Sequence, residues 1–319
     1  MLQLSIIIPA FNEGTAVGAT VKRVQDVFEN TGTKIEIIVV DDGSKDATAL
    51  EAEKAGAKVI RHPVNIGYGN ALLSGIRTAR YPLIAITDAD GTYPVEELPS
   101  MAQETVDRDL DMLVGARTGA LFHGPPLKRL ARICLKAMSE FACGRKIPDI
   151  NSGLRVIRRD MALRFAQMLC GGFSFTTTIT IIAFITHHFV DYRPIRYDKR
   201  IGKSHVRYGR DILRTQQLLA MTVINFNPIK FFMLFAVLVL PVGVVASTLA
   251  FLAPSLAMPL LIASLFFIGS CILMGLGFQS SRENTSGYRA AYPIKDTQTL
   301  VNTTAHPVRE HTVTKEVWT

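Results

Sequence analysis

The 319-residue chain reads as an α/β protein, a doubly wound and mostly parallel sheet followed by a C-terminal two-helix transmembrane hairpin. Three observations predict this. From residue 1 to about 115, short β-branched runs alternate with stretches of helical spacing. Two of those runs stop at acidic clusters, at the strand ends where open α/β sheets gather their ligands. Near the C-terminus, two apolar segments each approach the ~20 residues that cross a bilayer.

Strands are expected at Leu4–Ile8, Ile35–Val40, Lys58–Arg61, Leu83–Thr87 and Met112–Val114, with helices at Thr15–Asn30, Ala47–Ala55 and Asn70–Ala79. The opening MLQLSIIIPAF lacks the basic start and cleavage site of a secretory signal, and Pro9 cuts its apolar run short, so it predicts a strand on the cytoplasmic side. Asn65, Gly67 and Gly69 either feed the third helix with a ligand-cradling loop or simply form a turn before it. Leu127–Phe141 has an apolar face (Leu127, Leu130, Ile133, Phe141) with basic residues elsewhere, which fits a helix lying in a membrane interface or one packed on its own domain. Phe173–Val190 is apolar but rich in threonine, and predicts a buried or interfacial helix; its neighbours His187 and His188 point apart and read as structural.

Ile229–Ala253 and Met258–Phe278 carry no charge after Lys230 and predict the two spans. Arg207, Arg210 and Arg214 precede them and Arg282, Arg289 and Lys295 follow, so the positive-inside rule puts both flanks in the cytoplasm. The alternative is a buried helical hairpin. The expected organisation is a cytoplasmic catalytic domain over 1–225 with interfacial helices near 127–141 and 205–225, spans within 229–278, and a polar tail over 279–319. The apolar faces also offer surface for a homo-oligomer.

A composition 48% hydrophobic and 19% charged agrees with a lipid-embedded part, and the net charge of +8 suits anionic partners. No nucleic-acid-binding module accompanies that charge. Cys134, Cys143, Cys170 and Cys271 lack the spacing of a zinc site or a disulfide framework.

Chemistry concentrates at Asp41-Asp42-Gly43-Ser44 and Asp88-Ala89-Asp90, each closing an apolar strand on one sheet edge. There one carboxylate can accept hydrogen bonds from a base or ribose while another holds Mg²⁺ or Mn²⁺ against a diphosphate. Aspartates also serve turns and caps, so an Asp-x-Asp alone does not decide the matter.

Taken together, SIIIPAFNE (Ser5–Glu13), IIVVDDGSKDAT (Ile37–Thr48), NIGYGNAL (Asn65–Leu72) and ITDADGTYP (Ile86–Pro94) resemble the family 2 inverting glycosyltransferases of GT-A fold. DINSGLRVIRR (Asp149–Arg159) and RIGKSH (Arg200–His205) are similar to the polyprenyl-phosphate branch, typified by dolichyl-phosphate mannose synthases. The resemblance implies inverting transfer of a sugar from a nucleotide-sugar (GDP-mannose or a UDP-sugar) to a dolichyl or undecaprenyl phosphate at a cytoplasmic membrane face. By the same resemblance Pro9, Phe11, Glu13, Asp41, Asp42, Asp88, Ala89 and Arg117 would hold the donor. Asp88 and Asp90 would hold the metal, with Thr92 where the family commonly has Gln. Asn151, Ser152, Arg155, Arg200 and His205 would meet the acceptor, and Asp90, Arg155, Arg200 and Lys203 would carry the catalysis. A phosphate acceptor is already anionic and needs cations more than a general base. For Arg155 a structural ion pair is the competing role, and for Arg200–His205 a solvated or headgroup-binding basic loop. A hydroxyl acceptor would need a base, and the QxxRW string of processive relatives is absent from the sequence. A non-catalytic nucleotide-sugar binder would be expected to have lost Asp88 or Asp90, and both are present.

Overall fold

The computed structural model describes residues 1–118, most of 136–197, and part of 233–279. Seven strands form one sheet: β1 (Gln3–Ala10), β2 (Lys34–Asp41), β3 (Lys58–Arg61), β4 (Leu83–Ile86), β5 (Met112–Thr118), β6 (Arg155–Arg158) and β7 (Val190–Arg196). Their order is β3-β2-β1-β4-β6-β5-β7. All neighbours run parallel except around β6, which pairs antiparallel with both β4 and β5. The expected parallel sheet is therefore present, with one reversed strand inserted beside β4.

Side chains of a strand alternate between faces, and the apolar residues obey that period. Leu4, Ile6 and Ile8 of β1, with Ile37 and Val39 of β2, pack under helices α1 (Val17–Phe28) and α4 (Leu98–Asp107). Ile7, Ile38, Val40, Ile84 and Ile86 face the other way, against α3 (Tyr68–Thr78), α5 (Arg159–Arg164) and α6 (Phe175–Ile185). The short α2 (Thr48–Lys54) flanks the first layer. Helices on both faces bury both sides of the sheet, which is why β1, β2 and β4 are almost continuously apolar.

The run expected as one helix over Phe173–Val190 is instead α6 followed by a turn and β7. The turn comes at His187, whose φ of 61° lies in the left-handed region. Residues Phe175–Phe184 are all buried, consistent with their being apolar or threonine all round. His188 is structural as expected: its Nδ1 lies 2.7 Å from Thr186 Oγ1, its ring meets Phe165 edge-on, and burial lowers its pKa.

Most of 127–141, all of 205–225 and the tail from 280 lie outside the described residues. Every described residue in 233–252 and 258–279 is helical, with Val237, Val244, Phe251, Leu252 and Leu265 among the exposed apolar side chains. Among the described residues no helix is long and apolar enough to cross a membrane.

Candidate active site

Parallel pairing sets Ala10 opposite Asp41, so the loops after β1 and β2 emerge side by side. They are lashed together. Asn12 N donates to Ser44 Oγ (2.9 Å), Lys45 N to Asn12 Oδ1 (2.9 Å), and Glu13 N to Thr48 Oγ1 (2.9 Å). Asn12 takes a left-handed φ of 54°, a conformation that asparagine tolerates better than most residues. Pro9, Phe11, Glu13 and Asp41 thus lie together. Asp41 is fully buried; its Oδ1 accepts from Ser44 N (2.9 Å), while Oδ2 makes no hydrogen bond and has Arg61 Nε 3.3 Å away.

Asp42 behaves differently from its expected role as a donor contact. Its Oδ1 accepts from Ile66 N (3.0 Å) and pairs with His62 Nδ1 (2.8 Å), and its Oδ2 accepts from Gly67 N (2.8 Å). Both oxygens are committed to the Asn65–Gly67 loop, and His62 continues to Ser74 Oγ of α3 at 3.0 Å. Asp42 is thus a loop anchor. Gly67 adopts φ 105°, and a Cβ there would stand 2.7 Å from Gly171 O, so this position needs glycine on both counts.

Because β1 also pairs with β4, Asp88 and Asp90 leave the sheet on the same edge. Asp90 is buried, and its Oδ1 accepts from both Thr92 N (3.1 Å) and Thr92 Oγ1 (2.7 Å). Thr92 thus orients Asp90 through both its N–H and its hydroxyl, whose proton points to the carboxylate and not outward. Ala89 is buried, and its carbonyl accepts from Thr20 Oγ1 of α1 (2.9 Å). Asp88 Oδ1 accepts from the phenol of Tyr68, the first residue of α3, at 3.0 Å. Burial, and then the neighbouring charge of Asp88, hold that phenol well above its ordinary pKa, so it is a donor at physiological pH.

The reversed strand β6 brings residues 149–153 to the end of β4, since Arg155 pairs with Ile86. A Cβ on Gly153 would lie 3.1 Å from each Asp88 carboxylate oxygen, and Gly153 N donates to Tyr93 Oη at 2.7 Å. Asn151 N donates to Asp149 Oδ1 (3.1 Å), and the Asn151 side chain accepts from Thr177 of α6 (2.7 Å). Ser152 is fully buried, and its Oγ has no hydrogen-bond partner.

Arg155 was expected to reach the acceptor. Instead it is fully buried beneath this loop, donating from Nε to Ser152 O (2.7 Å), from Nη2 to Ile150 O (2.9 Å) and from Nη1 to Thr180 Oγ1 (2.7 Å). Burial lowers its pKa. Arg155 is enclosed beside the loop, and its hydrogen-bond partners are three neutral oxygens and the Met112 sulfur (3.6 Å), with Asp149 acting on it only through its charge. Arg117, at the end of β5, is likewise engaged: Nε and Nη2 donate to Asp149 at 2.7 and 2.9 Å, and the guanidinium lies 5.4 Å from the Tyr197 ring centre. Burial works against its charge, but the Tyr93 phenol and Asp149 raise its pKa above the ordinary value. Asp149 resists its own burial through Arg117 and is held below the usual carboxylate range.

Arg200, Lys203 and His205 lie outside the described residues. Tyr68, Tyr93, His62 and Asp149 carry contacts that the sequence did not assign. Asp149, Tyr93 and Tyr68 do sit inside the quoted motifs, although nothing there singled out their side chains, whereas His62 lies outside all of them.

Asp88 and Asp90 suit a divalent cation that completes its shell with diphosphate oxygens and water, the usual arrangement for Mg²⁺. Among the described residues no three His, Cys, Asp or Glu side chains converge as a self-sufficient cage. Asp41 Oδ2, Thr87 Oγ1 and Ser152 Oγ are buried without a hydrogen bond and belong to the same strand ends and loop; Arg61 lies near the first, and a polar ligand would satisfy atoms of this kind.

The profile of glycosyl transferase family 2 matches residues 5–164. The dodecaprenyl-phosphate galacturonate synthase of Rhizobium johnstonii is 34% identical over 163 residues, 49% of this chain and 48% of that protein. The dolichyl-phosphate hexose transferase of Haloferax volcanii is 31% identical over 159 residues, 50% of this chain and 67% of that protein. The chain thus spans about half the length of the first and two thirds of the second. In fold it is similar to glucosyl-3-phosphoglycerate synthase from Mycobacterium tuberculosis in complex with Mn²⁺, uridine diphosphate and glucosyl-3-phosphoglycerate: TM-score 0.58, 18% identity, 70% of this chain and 80% of that one.

Proposed function

Because the chain belongs to glycosyl transferase family 2, on its polyprenyl-phosphate side, we propose that it transfers a sugar, with inversion, from a nucleotide-sugar to a polyprenyl phosphate. The observation that carries this is how near Gly153 lies to Asp88, whose two carboxylate oxygens would each stand 3.1 Å from a Cβ at that glycine: the carboxylates suited to a metal-bound diphosphate and the loop suited to an acceptor share one wall. Pro9, Phe11, Glu13 and Asp41 take the base and ribose of a GDP- or UDP-sugar, and Ala89 lines the path to the diphosphate. When bound at Asp88 and Asp90, Mg²⁺ or Mn²⁺ supplies positive charge for the departing nucleoside diphosphate. Thr92 and Tyr68 fix the two carboxylates, so little reorganisation is needed as charge develops.

On the acceptor side Asn151, on the loop that the buried Ser152 helps to shape, faces the phosphate monoester, whose oxygen is anionic near neutral pH and attacks the anomeric carbon directly. Arg200, Lys203 and His205 add the neutralising charge. Asp149, which opens this loop, is bound to Arg117 and weakly basic, which disfavours the hydroxyl acceptor that would need a base.

The proposed setting is an integral membrane protein with residues 1–225 on the cytoplasmic face, held by spans within 229–278 and followed by a polar tail. Exposed apolar side chains on the described helices and the basic flanks support it. Confinement beside lipid raises the acceptor's effective concentration.

The test incubates membranes containing the protein with radiolabelled GDP- and UDP-sugars and a short polyprenyl phosphate, then extracts lipid. Label should enter the lipid fraction and should fall at least about a hundredfold on Asp90→Ala or on chelation. Label reaching only a polymer or a glycolipid would establish the hydroxyl-acceptor reading instead.

A further inference from the structure

We propose that Tyr68 is a positioning residue that sets Asp88 for the donor's diphosphate and its divalent cation. This rests on the assignment of Asp88 and Asp90 made above and adds a residue outside the acidic pair.

Three anchors fix the start of α3. Asp42 accepts from the N–H groups of Ile66 (3.0 Å) and Gly67 (2.8 Å). Asn70 N donates to Gly171 O (3.0 Å). Gly67 itself lies so close to Gly171 that no side chain fits between them. Tyr68 follows directly, and its phenol donates to Asp88 Oδ1 at 3.0 Å. From the other side, the Gly153 backbone closes on both oxygens of the same carboxylate. Asp88 is thus held between two elements, and its rotamer is decided before any ligand arrives.

The arrangement at Asp90 is the counterpart, with the Thr92 hydroxyl donating at 2.7 Å. Each carboxylate of the pair therefore accepts from a neutral hydroxyl among the described residues. A neutral donor orients a ligating carboxylate without cancelling its charge, and loss of such a supporting partner commonly weakens metal binding about 10–100-fold. A phenol that served folding alone could have found a carbonyl; this one is aimed at the carboxylate that opens the Asp-x-Asp.

The experiment compares the full-length protein with Tyr68→Phe, which keeps the ring and removes only the donor. Binding of Mn²⁺ is followed by electron paramagnetic resonance in the presence of UDP and, separately, GDP. Titrations run well below each protein's own melting midpoint, measured first. With the nucleotide that supports binding, the variant should hold Mn²⁺ about tenfold more weakly, and in turnover the donor KM should rise while the polyprenyl-phosphate KM stays within about twofold. Mn²⁺ binding by Tyr68→Phe within about twofold of the parent would overturn the role of Tyr68 and leave the donor site standing. No Mn²⁺ uptake by the parent with either nucleotide would overturn the donor-site assignment, and the Tyr68 proposal with it.

Discussion

Arg117 and Asp149 are 32 positions apart in the chain, yet their side chains form a two-pronged ion pair that is mostly shielded from water. Asp149→Ala leaves a guanidinium without its counter-ion and should cost roughly 3–5 kcal/mol, read from urea unfolding at neutral pH. The sign of the pH effect follows from the direction of the shift. Asp149 ionises at lower pH folded than unfolded, so its stabilisation is complete above about pH 4 and drains away as acid carries the pH through the lowered folded value. The stability gap between the parent and Asp149→Asn should accordingly narrow below about pH 4. Arg155→Met strands the carbonyls of Ile150 and Ser152 and should cost about 2–4 kcal/mol in the same assay, raising the acceptor KM more than the donor KM. Arg155→Lys should not rescue it, because one ammonium cannot span acceptors spread across three residues. The sequence made the residue types legible and left several of their tasks hidden: Asp42 sits in an expected motif but bonds backbone 24 and 25 residues on, and Arg155 turns back on the loop just before it and on Thr180 of α6.

At the level of elements, β1, β2 and β4 were readable because burial on both faces makes them almost continuously apolar, and β2 and β4 give way abruptly to acid. β6 was not: Arg155–Arg158 is four residues long with arginine at both ends, and its pairing on either side is long-range and antiparallel. β7 was hidden because the apolar character of α6 runs through the His187 turn into the strand. The start of α3 was visible as a glycine-rich stretch, while its purpose was not, since the aspartate that anchors it lies 25 residues upstream. Gly67→Ala forces a side chain into a left-handed backbone and against Gly171 O. It should destabilise the domain by roughly 1–3 kcal/mol, measured by urea unfolding, and should weaken Mn²⁺ binding as Tyr68→Phe does, because both disturb the same hydrogen bond.

For the whole molecule, the two-faced sheet brings the aspartates after β2 and β4 and the 149–153 loop to one edge, while the described C-terminal helices expose apolar side chains that a watery surrounding would not favour. If those helices anchor the protein, alkaline carbonate should leave the full chain in the membrane pellet and should release a version ending at residue 225. The released form should keep its affinity for nucleotide and Mn²⁺ while turnover with a long polyprenyl phosphate drops at least about tenfold, since only the shared two-dimensional setting is lost. Gly153, pressed against Asp88, also limits how this scaffold can be re-engineered. Under the proposed acceptor role, any attempt to retrain the loop for a new lipid inherits a floor tile with no room for decoration, so useful diversity must be introduced in the surrounding walls; libraries that randomise 153 would drive a side chain into the Asp88 carboxylate.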